Sequence, residues 1–243
     1  MDYDSFLELI KNTRSIRRFK PDPVPQEEIE KIVEAGRLAP SGFNQQPWEF
    51  VVVRKPELRK RINDFISTYK LHSKEMESTR EAAPKASAPE PEGPATDYSV
   101  APVYILVLGD KRCQKGLPLP VQFDKTRLDI IFTSSLSNAF TYMHMAAGTL
   151  GLASQWVSSV QDPYVSCMIK DLLGIREELG IYDMLAVGYS AVRARPKLLR
   201  EPFSMVHYDD CGTEDFRTDE EVRDFINKAR TWTIASHNRK ADN

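Results

Sequence analysis

The sequence predicts a single domain built from both helices and β-strands. Helix-type and strand-type segments alternate along the chain, two short apolar runs (WEFVVV at 48–53 and VYILVL at 103–108) are β-type, and no internal repeat or clean domain boundary separates them. With 243 residues, 41% of them hydrophobic, one large core can form.

The elements follow in order. Positions 4–12 read as a short helix with Phe6, Leu7, Leu9 and Ile10 apolar and Asp4 as its N-cap. A basic segment, TRSIRRFK at 13–20, ends at PDPVP. Pro25 opens a second helix whose first turn is acidic, as the helix dipole prefers. Pro40 to Pro47 is a turn-rich loop before the strand at 48–53, and Pro56 opens a third helix. Residues 68–98 lose apolar periodicity and carry four prolines between Pro84 and Pro94, which predicts a mobile inserted lid. After the strand at 103–108 comes a long, mostly apolar helix from Asp124 to Leu150, with small residues that permit close packing. Further strands are expected at 155–160 and 184–187, with a helix near 164–173 between them. Thr218-Asp-Glu-Glu221 is a capping box opening a last helix to about Thr233.

Composition excludes several functions. The formal net charge is -2, which argues against nucleic acid or an anionic membrane as partner. Three Cys and four scattered His match neither a disulfide framework nor a metal-ligand spacing, so no metal is expected. No apolar run approaches the length of a membrane span, and the N-terminus does not read as a signal peptide; a cytoplasmic protein is expected.

Two segments can carry chemistry. Arg14, Ser15, Arg17 and Arg18 fall within five positions, and guanidinium groups with a nearby hydroxyl suit a phosphate. Alone, such a cluster also reads as a solvated face. The loop Pro-Ser-Gly-Phe-Asn-Gln-Gln-Pro at 40–47 concentrates amides and a hydroxyl, which suit the edge of a planar heteroaromatic ring or, equally, the local backbone.

Together these segments resemble the nitroreductase family of flavoproteins. The matching motifs run in order: Arg14-Ser-Ile-Arg-Arg-Phe19, Ala39-Pro-Ser-Gly-Phe-Asn-Gln-Gln-Pro-Trp48, Gly148-Thr-Leu-Gly-Leu152, Gln155-Trp-Val-Ser-Ser159, Leu185-Ala-Val-Gly-Tyr189 and Arg200-Glu-Pro202. They span about 190 of the 243 residues. The resemblance implies an α+β fold: an α/β/α sandwich around a mixed, mainly antiparallel sheet, in a domain-swapped homodimer with one FMN per subunit at the interface. One domain would then fill 1–243, with the lid at 68–98 and an extension at 203–243 packing on the partner subunit.

The resemblance also assigns roles. Arg14, Ser15 and Arg200 would hold the FMN phosphate, and Arg17 would stabilise the reduced flavin near N1 and the C2 carbonyl. Pro40, Ser41, Gly42, Asn44 and Gln46 would approach the flavin from the partner. Ser158, or its neighbour Val157, would face N5. Phe43 and Tyr69 are the candidate substrate contacts. The family often has an arginine where this chain has Thr13, a charge that Lys197 or Arg18 would replace. No GxGxxG follows the first strand, so NADH or NADPH would stack directly on the flavin, giving a ping-pong NAD(P)H oxidoreductase. Its acceptor would be a nitroaromatic, a quinone or a related small molecule. Reductive dehalogenation, reduction of an activated C=C bond, oxygen-dependent flavin fragmentation and flavin binding without turnover are the alternatives. The lid's position resembles that of iodotyrosine deiodinases and of the flavin-cleaving dimethylbenzimidazole synthase, but the deiodinase Glu-x-x-x-Tyr pattern is unmatched: Phe65, not Glu, precedes Tyr69 by four.

Overall fold

The computed structural model describes residues 2–78, 98–193, 196–201, 205–212 and 216–238. The chain divides into two compact units, residues 1–80 with 97–192 and residues 81–96 with 193–243.

In the first unit, four antiparallel strands stand in the order β1-β2-β4-β3: β1 Trp48–Val53, β2 Val103–Asp110, β3 Ala153–Val157 and β4 Leu179–Gly188. The only parallel pairing among the described residues is an isolated bridge between Ser15 and Ser154. Alternation along the strands separates two cores. Val103, Ile105, Val107, Leu185 and Val187 face α2 (Gln26–Arg37) and α5 (Lys125–Thr149). Tyr104, Leu106, Leu108, Met184 and Ala186 face α3 (Pro56–Ser78) and α6 (Pro163–Leu173). The result is a three-layer α/β/α sandwich. Helix α1 (Tyr3–Asn12) is capped by Asp2, which accepts from Ser5 N at 2.7 Å, two residues before the expected Asp4. The short α4 (Leu119–Gln122) precedes α5, whose N-cap is Asp124.

Two boundaries move. The lid was expected from residue 68, but α3 continues to Ser78. Lys70, Leu71, Lys74, Glu75, Met76 and Glu77 are good helix formers, and no Gly or Pro follows until Pro84. The rest of that segment, 79–97, lies outside the described residues. The strand expected at 155–160 stops at Val157, where Ser158–Gln161 turn into a 3-10 helix, and β4 starts at Leu179 rather than 184.

In the second unit, α7 (Asp219–Asn238) begins at the predicted capping box. Glu221 Oε2 accepts from Thr218 N at 2.8 Å, and Thr218 Oγ1 from Glu221 N at 3.2 Å.

Candidate active site

The basic segment is laid along the free edge of β3. Ile16 N donates to Ser154 O at 2.9 Å, and farther on Phe19 bridges Ser190 while Lys20 N donates to Tyr189 O at 2.8 Å. Both ends of the segment are therefore fixed by backbone bonds, and Arg17 is held between them. Its guanidinium is half-buried, and among the described residues its one side-chain bond is from Nη1 to Ser15 O at 3.4 Å. Burial lowers its pKa from the usual guanidinium value, and no carboxylate among the described residues lies within 4.0 Å to oppose that.

Arg14 is placed differently. Its Nη1 donates to Thr13 O at 2.7 Å and Ile10 O at 3.2 Å, capping the last carbonyls of α1. Thr13 is committed to the fold as well: its hydroxyl donates to Leu9 O at 2.8 Å, and a Cβ on Gly148 would come within 2.9 Å of it. Arg18 O accepts from Ala191 N. Lys197 and Arg200 belong to the second unit.

The loop at 40–46 is docked on α5. Asn138 Nδ2 donates to Pro40 O at 3.1 Å, and Gly42 N donates to Ser135 Oγ at 3.1 Å. Gly42 is required by this approach, since a Cβ there would lie 2.5 Å from Ile131 Cγ2. Ser41 turns inward, its hydroxyl accepting from Gln46 N at 2.9 Å. Phe43, Asn44 and Gln46 have φ of 55°, 52° and 44°, left-handed conformations that non-glycine residues rarely hold. Phe43 is 58% exposed.

At the other end of β3, the register pairs Trp156 with Leu185 and Val157 with Met184, so Ser158 follows opposite Asp183. Val157 is buried in the core under α3 and α6, which leaves only its backbone for a ligand on the α5 side. Asp183 was not anticipated. It is 2% exposed, accepts from Trp156 Nε1 and from Gln161 Nε2 at 2.9 Å, and has the Ser158 hydroxyl as a polar cross-strand neighbour. Burial pushes its carboxyl above the ordinary value, against the pull of those three groups. A lone Asp inside the apolar run YDMLAVG was the available signal. Behind Ser15, Ser154 Oγ lies 2.6 Å from His144 Nδ1 of α5, another pair the sequence did not single out.

Tyr69 sits away from these groups. It packs, half-buried, on the core beneath α3 and α6, on the sheet face opposite α5.

Residues 10–189 match the nitroreductase family. An Archaeoglobus fulgidus protein named for NADH dehydrogenase/NAD(P)H nitroreductase activity is 27% identical over 183 residues, 75% of this chain and 84% of that one. Rattus norvegicus iodotyrosine deiodinase 1 is 41% identical, but over only 66 residues, 27% of this chain and 23% of its own length. Among solved structures, nitroreductase CinD of Lactococcus lactis superposes with a TM-score of 0.68 at 18% identity, covering 84% of this chain and 100% of CinD; it has been solved with nicotinic acid, chloramphenicol and 4-nitrophenol. An FMN-dependent nitroreductase of Clostridium difficile gives 0.60 at 20% identity, covering 84% of this chain and 99% of that one.

Proposed function

Because the chain belongs to the nitroreductase family, we propose that it is an FMN-dependent oxidoreductase carrying a hydride from NADH or NADPH to a small electron-poor acceptor in a ping-pong cycle. The observation that carries this reading is Arg17. A guanidinium taken partly out of water without a counter-ion costs the fold, and an anionic ligand beside it repays that cost. FMN fits the donor set, since it brings a phosphate and a ring that gains negative charge on reduction. Bound there, it supplies hydride acceptance and release at N5.

The protein's own groups then divide the work. Arg17 holds positive charge where the reduced ring needs it. Ser15 donates to the phosphate, with Arg14 adding positive charge from the end of α1. Ser158 stands at N5 with the backbone of Val157 beside it. Pro40, Ser41, Gly42, Asn44 and Gln46 serve the flavin of a partner subunit, and Phe43 stacks on the acceptor.

A homodimer is part of this proposal. Helix α5 carries apolar residues on both of its sides, and those turned from the sheet are the ones a partner would cover. One side meets the sheet; on the other, Ile130 is 62% exposed and Tyr142 is also exposed. Phe43 is carried on this same helix by the contacts of Ser135 and Asn138. A second copy on this surface would cover α5 and bring the strained loop to a flavin together.

Nitroaromatics and quinones are the proposed acceptors, in keeping with the aromatic ligands solved in CinD. The test is anaerobic mixing of FMN-loaded protein with NADH or NADPH, then with a panel of nitroaromatics, quinones and, given the partial deiodinase match, halogenated phenols. Bleaching of the flavin by the donor and its return with a nitroaromatic or quinone are expected. A protein that takes up no FMN, or loaded protein that neither donor bleaches, overturns the reading.

A further inference from the structure

One buried acid has no part in the function proposed above. Asp183 lies in β4 opposite Ser158, and the two face the α5 side of the sheet. Asp183 accepts from the Trp156 indole of β3 and the Gln161 amide of the 3-10 turn; the β3–β4 register sets the Ser158 hydroxyl across from it as a polar neighbour, and on its own strand lies the Tyr182 phenol, whose ionisation it opposes. Among the described residues no Lys, Arg or His forms an ion pair with it. Helix α5 brings the Phe140 ring against Trp156, with centroids 4.0 Å apart, and Ser137 to Tyr182, neither group charged.

We infer that Asp183 is the positioning residue for Ser158 and sets the direction in which the Ser158 hydroxyl presents its proton. The inference rests on the reading that Ser158 faces flavin N5. Trp156 Nε1 can only donate, and it occupies one carboxylate oxygen; the Gln161 amide occupies the other. A hydroxyl has one proton to give. With Asp183 ionised, Ser158 gives that proton inward and presents lone pairs outward, which suits an N5 that carries hydrogen. With Asp183 protonated by a proton from solvent, the acid O–H donates to Ser158 Oγ, and the hydroxyl is released to donate outward, which suits an N5 without hydrogen. One proton taken up at a buried carboxyl thus reverses a hydrogen bond two groups away, while Trp156 and Gln161 keep the carboxyl in place.

The experiment is a redox titration of FMN-loaded protein across pH for the wild type, Ser158→Ala and Asp183→Asn, with FMN affinity measured alongside. In the wild type, the separation between the first and second one-electron potentials should change on the acid side as Asp183 titrates. Both variants should lose that dependence, with a change of roughly 5-fold in the equilibrium between the one-electron states, the worth of one hydrogen bond. If Ser158→Ala binds FMN and titrates like the wild type, the placement of Ser158 at N5 fails. If Ser158→Ala loses the dependence and Asp183→Asn keeps it, Asp183 is not the positioning residue. Should Asp183→Asn fail to fold, the wild type still decides. The Trp156 indole N–H resonance, assigned with Trp156→Phe, should move with the same pH midpoint as the redox effect. An indole proton that does not move over that range overturns the inference.

Discussion

Beneath α3 and α6 the strands present Tyr104, Leu106, Leu108, Met184 and Ala186, all buried, and the one hydroxyl in that row is satisfied by Asn63 and the Tyr98 carbonyl. Beneath α5, toward β3, the same sheet presents Ser154, Trp156 and Asp183, with His144 approaching from the helix. The first face is a packed core. The second couples a core to a buried carboxylate, a desolvated guanidinium on the adjoining edge and a loop held in left-handed backbone conformations. Such features cost stability and survive where the surrounding structure, or a ligand, compensates. On the function proposed, binding belongs to the α5 side and stability to the α3 side, so substitutions on the two sides should separate these properties.

The largest effect belongs to the closed face. Ile62, with none of its surface exposed, lies in the core under α3. Ile62→Ala should lower unfolding free energy by about 2–5 kcal/mol in urea titrations. FMN affinity of the protein that remains folded should not change; a parallel loss of affinity would mean the two faces are not separable.

Arg17→Ala makes the opposite test. Losing a charged contact should weaken FMN binding by about 1.5–3 kcal/mol. The apoprotein, relieved of a half-buried cation with no carboxylate partner, should be as stable as the wild type or more so. An apoprotein that loses stability would show that Arg17 serves the fold.

The two faces were also unequally readable from sequence. Short apolar runs, proline boundaries and the Thr218 capping box each act within a few residues, and the corresponding elements formed where those signals stood. Arg17 and the loop at 40–46 were visible through residue type and order. Asp183 was not, because its role depends on the register that sets it against Ser158 and beneath Trp156, a pairing of segments some 25 residues apart. The boundary at residue 68 went astray for a local reason: loss of apolar periodicity was read as loss of helix, whereas helix propensity without a breaker carried α3 to Ser78. The roles proposed for a second subunit leave only an indirect trace in the sequence, in the outer face of α5.

Gly42→Ala probes the loop itself. The added methyl meets Ile131 Cγ2 at 2.5 Å, so the loop must lift from α5. A cost of about 1–3 kcal/mol in stability is expected. The more specific readout is a raised KM for the acceptor, with Ile131→Ala in the same chain restoring much of it. A double variant no better than Gly42→Ala alone would show that the contact with Ile131 does not position the loop.

The smallest effect is a slope. Burial raises the Asp183 carboxyl above its ordinary value, so between the unfolded and the folded pKa the native state holds more protons than the unfolded chain. The contribution of Asp183 to stability must then fall as pH rises through that window: full below the unfolded pKa, lost once Asp183 is ionised in the folded protein. The closed face, whose buried side chains in those strands carry no carboxylate, contributes no such slope. In urea unfolding across the acid range, the stability of Asp183→Asn relative to the wild type should therefore rise with pH, whereas in Ile62→Ala the difference from the wild type should stay constant. If Asp183→Asn keeps the wild-type slope, another group titrates there and the carboxyl opposite Ser158 is not the source.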